Sequence, residues 1–360
     1  MASYKVAVIP GDGIGPEVMN EALKVLRVLK DQDSTFQYHA DIFYWNSDYY
    51  LKHGRMMPED GLEILKNYDA VLFGAIGDER VPDDITVWEL IMPIRKQFQQ
   101  YINLRPVKKL PGIKTRYDDV KSDIDFVIVR ENAEGEYANS GGRLYSGMDQ
   151  EMAIQNTVIT RKGTERAASF AFEYAKKHGK TKVTSATKSN AVVHSMKLWD
   201  EAVKAVADSY PEITLEQNYI DALAAYFVMR PESFEVVVAS NLFGDILSDL
   251  GSALVGGLGI SPSANLNPTG EFPSMFEPVH GSAPDIARTG KANPIAQIWS
   301  TAMMLEHLGR DDLSTMIIRA IEQVLKRGEV LTADLGGSAT TMEMGEAIIE
   351  ELTVHTSLNK

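Results

Sequence analysis

Two aspartates, Asp245 and Asp249, lie four residues apart in the stretch Asn241-Leu-Phe-Gly-Asp-Ile-Leu-Ser-Asp249. On a helix this spacing stacks both carboxylates on one face, one turn apart, where like charges repel unless something positive lies between them. A solvated acidic face shows the same pattern. Here the flanks are apolar and glycine-rich, and a pair of hard oxygen donors suits Mg²⁺ or Mn²⁺. Asp221 is a third carboxylate set in apolar sequence, where a lone charge is costly without a partner such as a metal ion.

Three arginines, Arg95, Arg105 and Arg130, stand beside expected strand or helix ends. Each alone would make an ordinary surface ion pair. Together they offer guanidinium forks that bind carboxylates bidentately, and with aspartates and a divalent ion they suit a small dicarboxylate bearing a hydroxyl. Lys188 follows Thr184-Ser-Ala-Thr187. It is either a solvated ammonium or, close to a metal and arginines, a base with a lowered pKa. Tyr137 in Glu134-Gly-Glu-Tyr137 is either packing or a proton donor. The segment Phe276 to Ile286 has too many turn formers for a helix or strand and is expected to be a loop. If it is more than surface, Gly281 and Ser282 offer amides to a phosphate, His280 stacks on or bonds an adenosine, and Asp285 accepts from ribose hydroxyls.

The elements that must hold these groups alternate between strand and helix. Lys5 to Pro10 reads as a strand, Gly11 to Gly15 as a tight turn and Pro16 to Lys30 as an amphipathic helix. The turn lacks the glycine spacing of a Rossmann fingerprint. Asp69 to Ala75, Leu104 to Val107, Asp125 to Arg130, Thr181 to Thr187 and Val236 to Ala239 read as buried strands, and Val158 to Arg161 also has strand character. Helices are expected at 162–178, 189–210, 293–307 and 312–327, with a further helix at the C-terminal end. Residues 134–152, rich in Tyr and Gly, are expected to be an extended loop or a hairpin, an arm of the kind that makes oligomer contacts, and residues 251–273 a long functional loop or domain crossover. The pattern is α/β, with ligands expected at strand ends.

Composition narrows the function classes. The 360 residues allow about two domains, and a net charge of −14 argues against nucleic acid or an anionic membrane as partner. No cysteine is present, so disulfides, thiolate zinc sites and cysteine nucleophiles are excluded. No apolar run reaches membrane-span length and none resembles a signal segment, so a cytoplasmic location is expected.

Taken together, Gly11-Asp-Gly-Ile-Gly-Pro-Glu17, Leu104-Arg-Pro106, Val129-Arg-Glu-Asn132, Asn241 to Asp249 and Glu277-Pro-Val-His-Gly-Ser-Ala-Pro-Asp285 resemble the metal-dependent β-decarboxylating dehydrogenases, the family of isopropylmalate, isocitrate, homoisocitrate and tartrate/D-malate dehydrogenases. The resemblance implies a two-domain, non-Rossmann α/β fold. Residues 1–100 plus 256–360 would bind NAD. Residues 101–255 would hold substrate and metal and carry a dimerisation arm at about 134–160.

By the same resemblance, Arg95, Arg105 and Arg130 grip substrate carboxylates. Asp245 and Asp249, with Asp221 from the second subunit, hold Mg²⁺ or Mn²⁺, while Lys188 of that subunit serves as base and Tyr137 as acid. Asn190 neighbours the nicotinamide, and the cofactor lies along His280, Gly281, Ser282, Ala283, Asp285, Ile286 and Asn293. The acidic Asp285 suits NAD, because a 2′-phosphate would meet its charge.

Trp88 and Ile91 share an expected helical face with Arg95. An indole there fills space that larger family substrates need, so a small substrate is implied: D-malate going to pyruvate and CO₂, or tartrate going to oxaloglycolate or its decarboxylated product. The alternatives are a 3-isopropylmalate dehydrogenase and a non-catalytic regulatory subunit. Whether K⁺ is also required stays open.

Overall fold

The computed structural model describes residues 2–115 and 123–358 of the chain. The chain divides into two compact units: Met1–Gln100 with Lys108–Lys121 and Ser252–Lys360, and Tyr101–Val107 with Ser122–Gly251. The division differs from the expected one at two places. The stretch after Val107 groups with the first unit, and the return to that unit comes at Ser252 rather than at residue 256.

In the first unit five strands run in the order Phe36–Ile42, Ala2–Gly11, Ala70–Ala75, Ser274–Pro278, Pro262–Leu266. All neighbours are parallel except the last pair. Ala70–Ala75 is buried at every position, as a strand covered on both faces must be. The helix Gly15–Gln32 starts with Pro16 in its first turn and buries Val18, Met19, Ala22, Val25, Leu26 and Leu29, one stripe at helical spacing. Ile295–His307 is buried from Ile295 to Leu305, an interior helix of this unit.

In the second unit the order is Ile102–Lys108, Asp125–Glu131, Val236–Ala239, Lys182–Thr187, Thr214–Tyr219. The last four run parallel. Helices Arg161–Lys177, Val193–Ala207 and Ile220–Met229 supply the crossovers, and Asn241–Val255 follows the strand Val236–Ala239. A separate hairpin, Gly141–Leu144 with Met152–Gln155, is exposed throughout.

Several expectations are corrected. Residues 251–273 are not one loop: the helix runs on to Val255, and Pro262–Leu266 is a fully buried strand. Its Pro, Ser and Asn composition hides it, because Asn265 buries its amide against the Glu277 carboxylate at 2.7 Å. Likewise Ser274–Pro278 is a strand that runs into the first three residues of the segment Phe276 to Ile286, expected to be a loop. Val158 makes only an isolated bridge to Gly135. The helix expected from Ser189 begins at Val193, because the backbone of Ala191 and Val192 turns back onto the Lys188 carbonyl.

Candidate active site

The strand Val236–Ala239 delivers the chain into the helix Asn241–Val255, and the parallel neighbour Asp125–Glu131 brings Arg130 opposite Ala239. Asp245 is the hub of what gathers there. Its Oδ1 accepts from Arg130 Nη1 and lies 3.4 Å from Arg105 Nη1, and its Oδ2 accepts from the Tyr137 hydroxyl at 3.0 Å. Arg105 also donates to the Ser248 hydroxyl and stands 3.7 Å from Asp249. Arg105 and Arg130 are both buried, while Asp249 is exposed. Gly244 is what lets the helix approach this closely: a Cβ there would sit 2.7 Å from Arg130 Cβ and Cγ.

Electrostatics follow from this packing. The Asp249 carboxyl is held above its ordinary pKa by partial desolvation, with Asp245 adding repulsion against the opposing pull of Arg105 and Arg130. Tyr137 is raised by burial first and then by Asp245, so it keeps its proton at neutral pH. The donor set fits a hard divalent cation: two carboxylates one helical turn apart, already facing positive groups. Among the described residues no three His, Cys, Asp or Glu side chains of the one chain come together as a metal cluster.

Lys188 and Asp221 form a second cluster, with Nζ 2.7 Å from Oδ1. That hydrogen bond, ahead of any other cause, lowers the Asp221 carboxyl. Asn190 lies exposed in the turn after Lys188. Arg95 belongs to the first unit, where its Nη2 donates to Glu277 at 2.6 Å.

Trp88 is half-buried in a wide, π-helical turn, Val87–Ile91, which shifts the phase assumed for an α-helix. The Lys96 ammonium lies 4.7 Å from its ring centroid, and Ile91 is buried.

The residues expected to meet a cofactor sit in the first unit. The Ile14 amide donates to the Ser282 carbonyl at 2.8 Å, and Gly13, at φ +56°, leaves no room for a Cβ there. A cavity of about 390 Å³ is lined by Gly13, Gly77, Arg80, Pro284, Ala287 and Arg288 among others. Of these, sequence reasoning named none as cofactor ligands. His280 contacts the Gly281 carbonyl at 2.9 Å, burial holds its imidazole below the usual pKa, and its Nε2 is buried with no partner. Asn293 donates to Asp334 at 3.0 Å, and Asp285 is exposed. Ala283 takes φ +41° in the same segment, with Ile286 packed beside Ile14 and Val18. The unpartnered imidazole nitrogen of His280 fits a hydrogen bond to a nucleotide base.

The isocitrate/isopropylmalate dehydrogenase pattern matches residues 5–348. The chain belongs to this family. A Bacillus subtilis (strain 168) relative described as a probable tartrate dehydrogenase/decarboxylase is 50% identical over 98% of this chain and 99% of its own. The decarboxylating D-malate dehydrogenase of Escherichia coli (strain K12) is 49% identical over 97% of this chain and 98% of its own. Among solved structures, isocitrate dehydrogenase from Methylococcus capsulatus matches with a TM-score of 0.88 at 36% identity, covering 97% of this chain and 99% of that one. As an isocitrate/isopropylmalate dehydrogenase family member the chain is an oxidoreductase with the mixed α/β fold of that family. Dehydrogenases of the family generally use NAD and a divalent metal, act on small carboxylates and are usually dimeric. No described helix is long and apolar enough to cross a membrane.

Proposed function

We propose that the protein oxidises a small 2-hydroxy dicarboxylate with NAD⁺ and decarboxylates the product, taking D-malate to pyruvate and CO₂ and tartrate to oxaloglycolate or its decarboxylated product. The observation that carries this reading is Asp245 in contact with Arg130, Arg105 and Tyr137 at once. The printed names of the Bacillus subtilis and Escherichia coli relatives point to the same substrates.

Two guanidinium groups and two carboxylates leave this cluster close to neutral. With Asp245 and Asp249 given to a divalent cation, Arg105 and Arg130 turn to the substrate carboxylates, which they bind through paired N–H donors. Asp245 and Asp249 would hold the cation, Mg²⁺ or Mn²⁺, which would supply Lewis-acid polarisation of the substrate hydroxyl, and bound NAD⁺ would supply the hydride acceptor. Lys188, paired with Asp221, removes the hydroxyl proton, and Tyr137 returns a proton to the enolate left by CO₂.

Because Lys188 and Asp221 form a cluster of their own, this reading takes them from a second copy, as a third metal ligand and a base. The exposed hairpin, with Leu144, Tyr145, Met148, Met152 and Ile154 at its surface, is the arm that joins the copies. In the first unit, the segment from His280 to Asn293 receives the cofactor. Trp88 and Ile91 wall off bulk beside Arg95, which exchanges Glu277 for a substrate carboxylate.

The test is NADH formation with D-malate before and after chelation. Activity should vanish on chelation and return with Mn²⁺ or Mg²⁺, with and without K⁺ compared in parallel. Full turnover in the chelated protein contradicts the assignment of Asp245 and Asp249.

A further inference from the structure

Asn241 is buried and is the first residue of the helix that carries Asp245, one past Ser240, whose carbonyl accepts the Gly244 amide at 2.8 Å as the cap of that helix. The Asn241 side chain reaches other segments. The Oδ1 accepts from Arg130 Nε at 3.0 Å and from Arg130 Nη2 at 2.7 Å, and the Nδ2 donates to the Glu134 carbonyl at 2.9 Å. Gly135, at φ +76°, brings its backbone against the asparagine, where an added Cβ would lie 3.1 Å from Asn241 Cβ. From the other side, Glu131 accepts from the amides of Ala133 and Glu134 at 3.0 and 2.8 Å. Three residues past Glu134 is Tyr137, whose ring lies 5.5 Å from the Arg130 guanidinium.

We propose that Asn241 is a positioning residue that fixes the Arg130 fork for a substrate carboxylate without neutralising it, and that ties this arginine to the turn carrying Tyr137. The inference rests on the reading of Arg130 as a substrate ligand. Its chemical core is the choice of amide over carboxylate. An aspartate of the same shape would satisfy the same two N–H groups, yet would cancel the charge that the substrate needs and repel the Glu134 carbonyl. A neutral acceptor orders the guanidinium plane through Nε and Nη2 and leaves its positive charge to act through Nη1, the nitrogen already turned to Asp245.

The experiment compares Asn241→Asp, Asn241→Ser and Arg130→Gln in the full-length enzyme with Mn²⁺, reading KM for D-malate, KM for NAD⁺, calorimetric binding of D-malate, and Tm. Both Asn241 variants should raise KM and Kd for D-malate by about tenfold or more, the aspartate most, with KM for NAD⁺ within about twofold. If Asn241→Asp does not fold, Asn241→Ser, which adds no charge, carries the test. Unchanged D-malate binding in a folded Asn241 variant overturns the proposal, as does an equal rise in both KM values, which a general loosening of structure would give. If Arg130→Gln also leaves D-malate binding unchanged, the substrate-binding reading of Arg130 falls. If only Arg130→Gln weakens it, that reading stands and the role of Asn241 falls.

Discussion

Tyr137 and Asp245 share one proton-bearing contact, and the chemistry at this scale turns on which of them keeps the proton. Burial and the Asp245 charge both hold the tyrosine in its neutral form, which is the form an acid needs. Tyr137→Phe should therefore slow decarboxylative protonation by about a hundredfold while sparing hydride transfer. Separate assays on D-malate oxidation and oxaloacetate decarboxylation read this, and equal losses in both would remove Tyr137 from the acid role. Glu131 offers a second prediction. Burial pushes its carboxyl from 4.5 up to about 7, against the pull of the Glu134 and Ala133 amides. The folded chain then holds a proton that the unfolded chain has released, so stability falls as pH rises from 4.5 to 7 and is level above that window. Relative to Glu131→Gln, the native protein should lose about 3 kcal/mol across it. Denaturant titrations at several pH values measure this, and a pH-independent difference contradicts the buried carboxyl.

At the level of elements, one strand-to-helix junction carries most of the site. The apolar run Val236 to Ala239 and the 3.6-residue pattern after it made that junction legible in the sequence, and the acidic pair fell on the helix as its spacing required. Partners at long range were not legible: nothing local in Asn241 says that it will serve Arg130, 111 residues away. Sequence reasoning also passed over Phe36–Ile42 and Thr214–Tyr219, both terminal in their units' strand orders, because edge strands need little apolar sequence. The buried strand Pro262–Leu266 was missed for the opposite reason, since its polar side chains find partners only in the fold. Periodicity misled once more around Trp88, where the π turn changes the phase. Gly244 marks the junction's tolerance. Gly244→Ala should cost about 1–3 kcal/mol and raise the dicarboxylate KM, because the new Cβ displaces Arg130. Unchanged stability and KM together would mean the helix has slack that its close approach to Arg130 denies.

On the scale of the whole molecule, the second unit carries the acidic helix and two arginines, and the first unit carries Arg95 and the segment proposed for the cofactor. The exposed apolar hairpin and the separate Lys188–Asp221 cluster give the proposed dimer its consequence. Met148→Glu with Ile154→Glu should shift the protein toward monomers in sedimentation, and turnover should fall with the dimer fraction. Full activity in a monomer would place Lys188 and Asp221 outside the shared site. Substrate size is the central claim, resting on the proposed role of Trp88 in excluding bulk. The measurement that tests it most directly is NADH formation with Mn²⁺ and K⁺ on D-malate, L-tartrate, meso-tartrate, 3-isopropylmalate and isocitrate at equal concentration. The account predicts the highest kcat/KM on D-malate or a tartrate, and a preference for 3-isopropylmalate or isocitrate would contradict it.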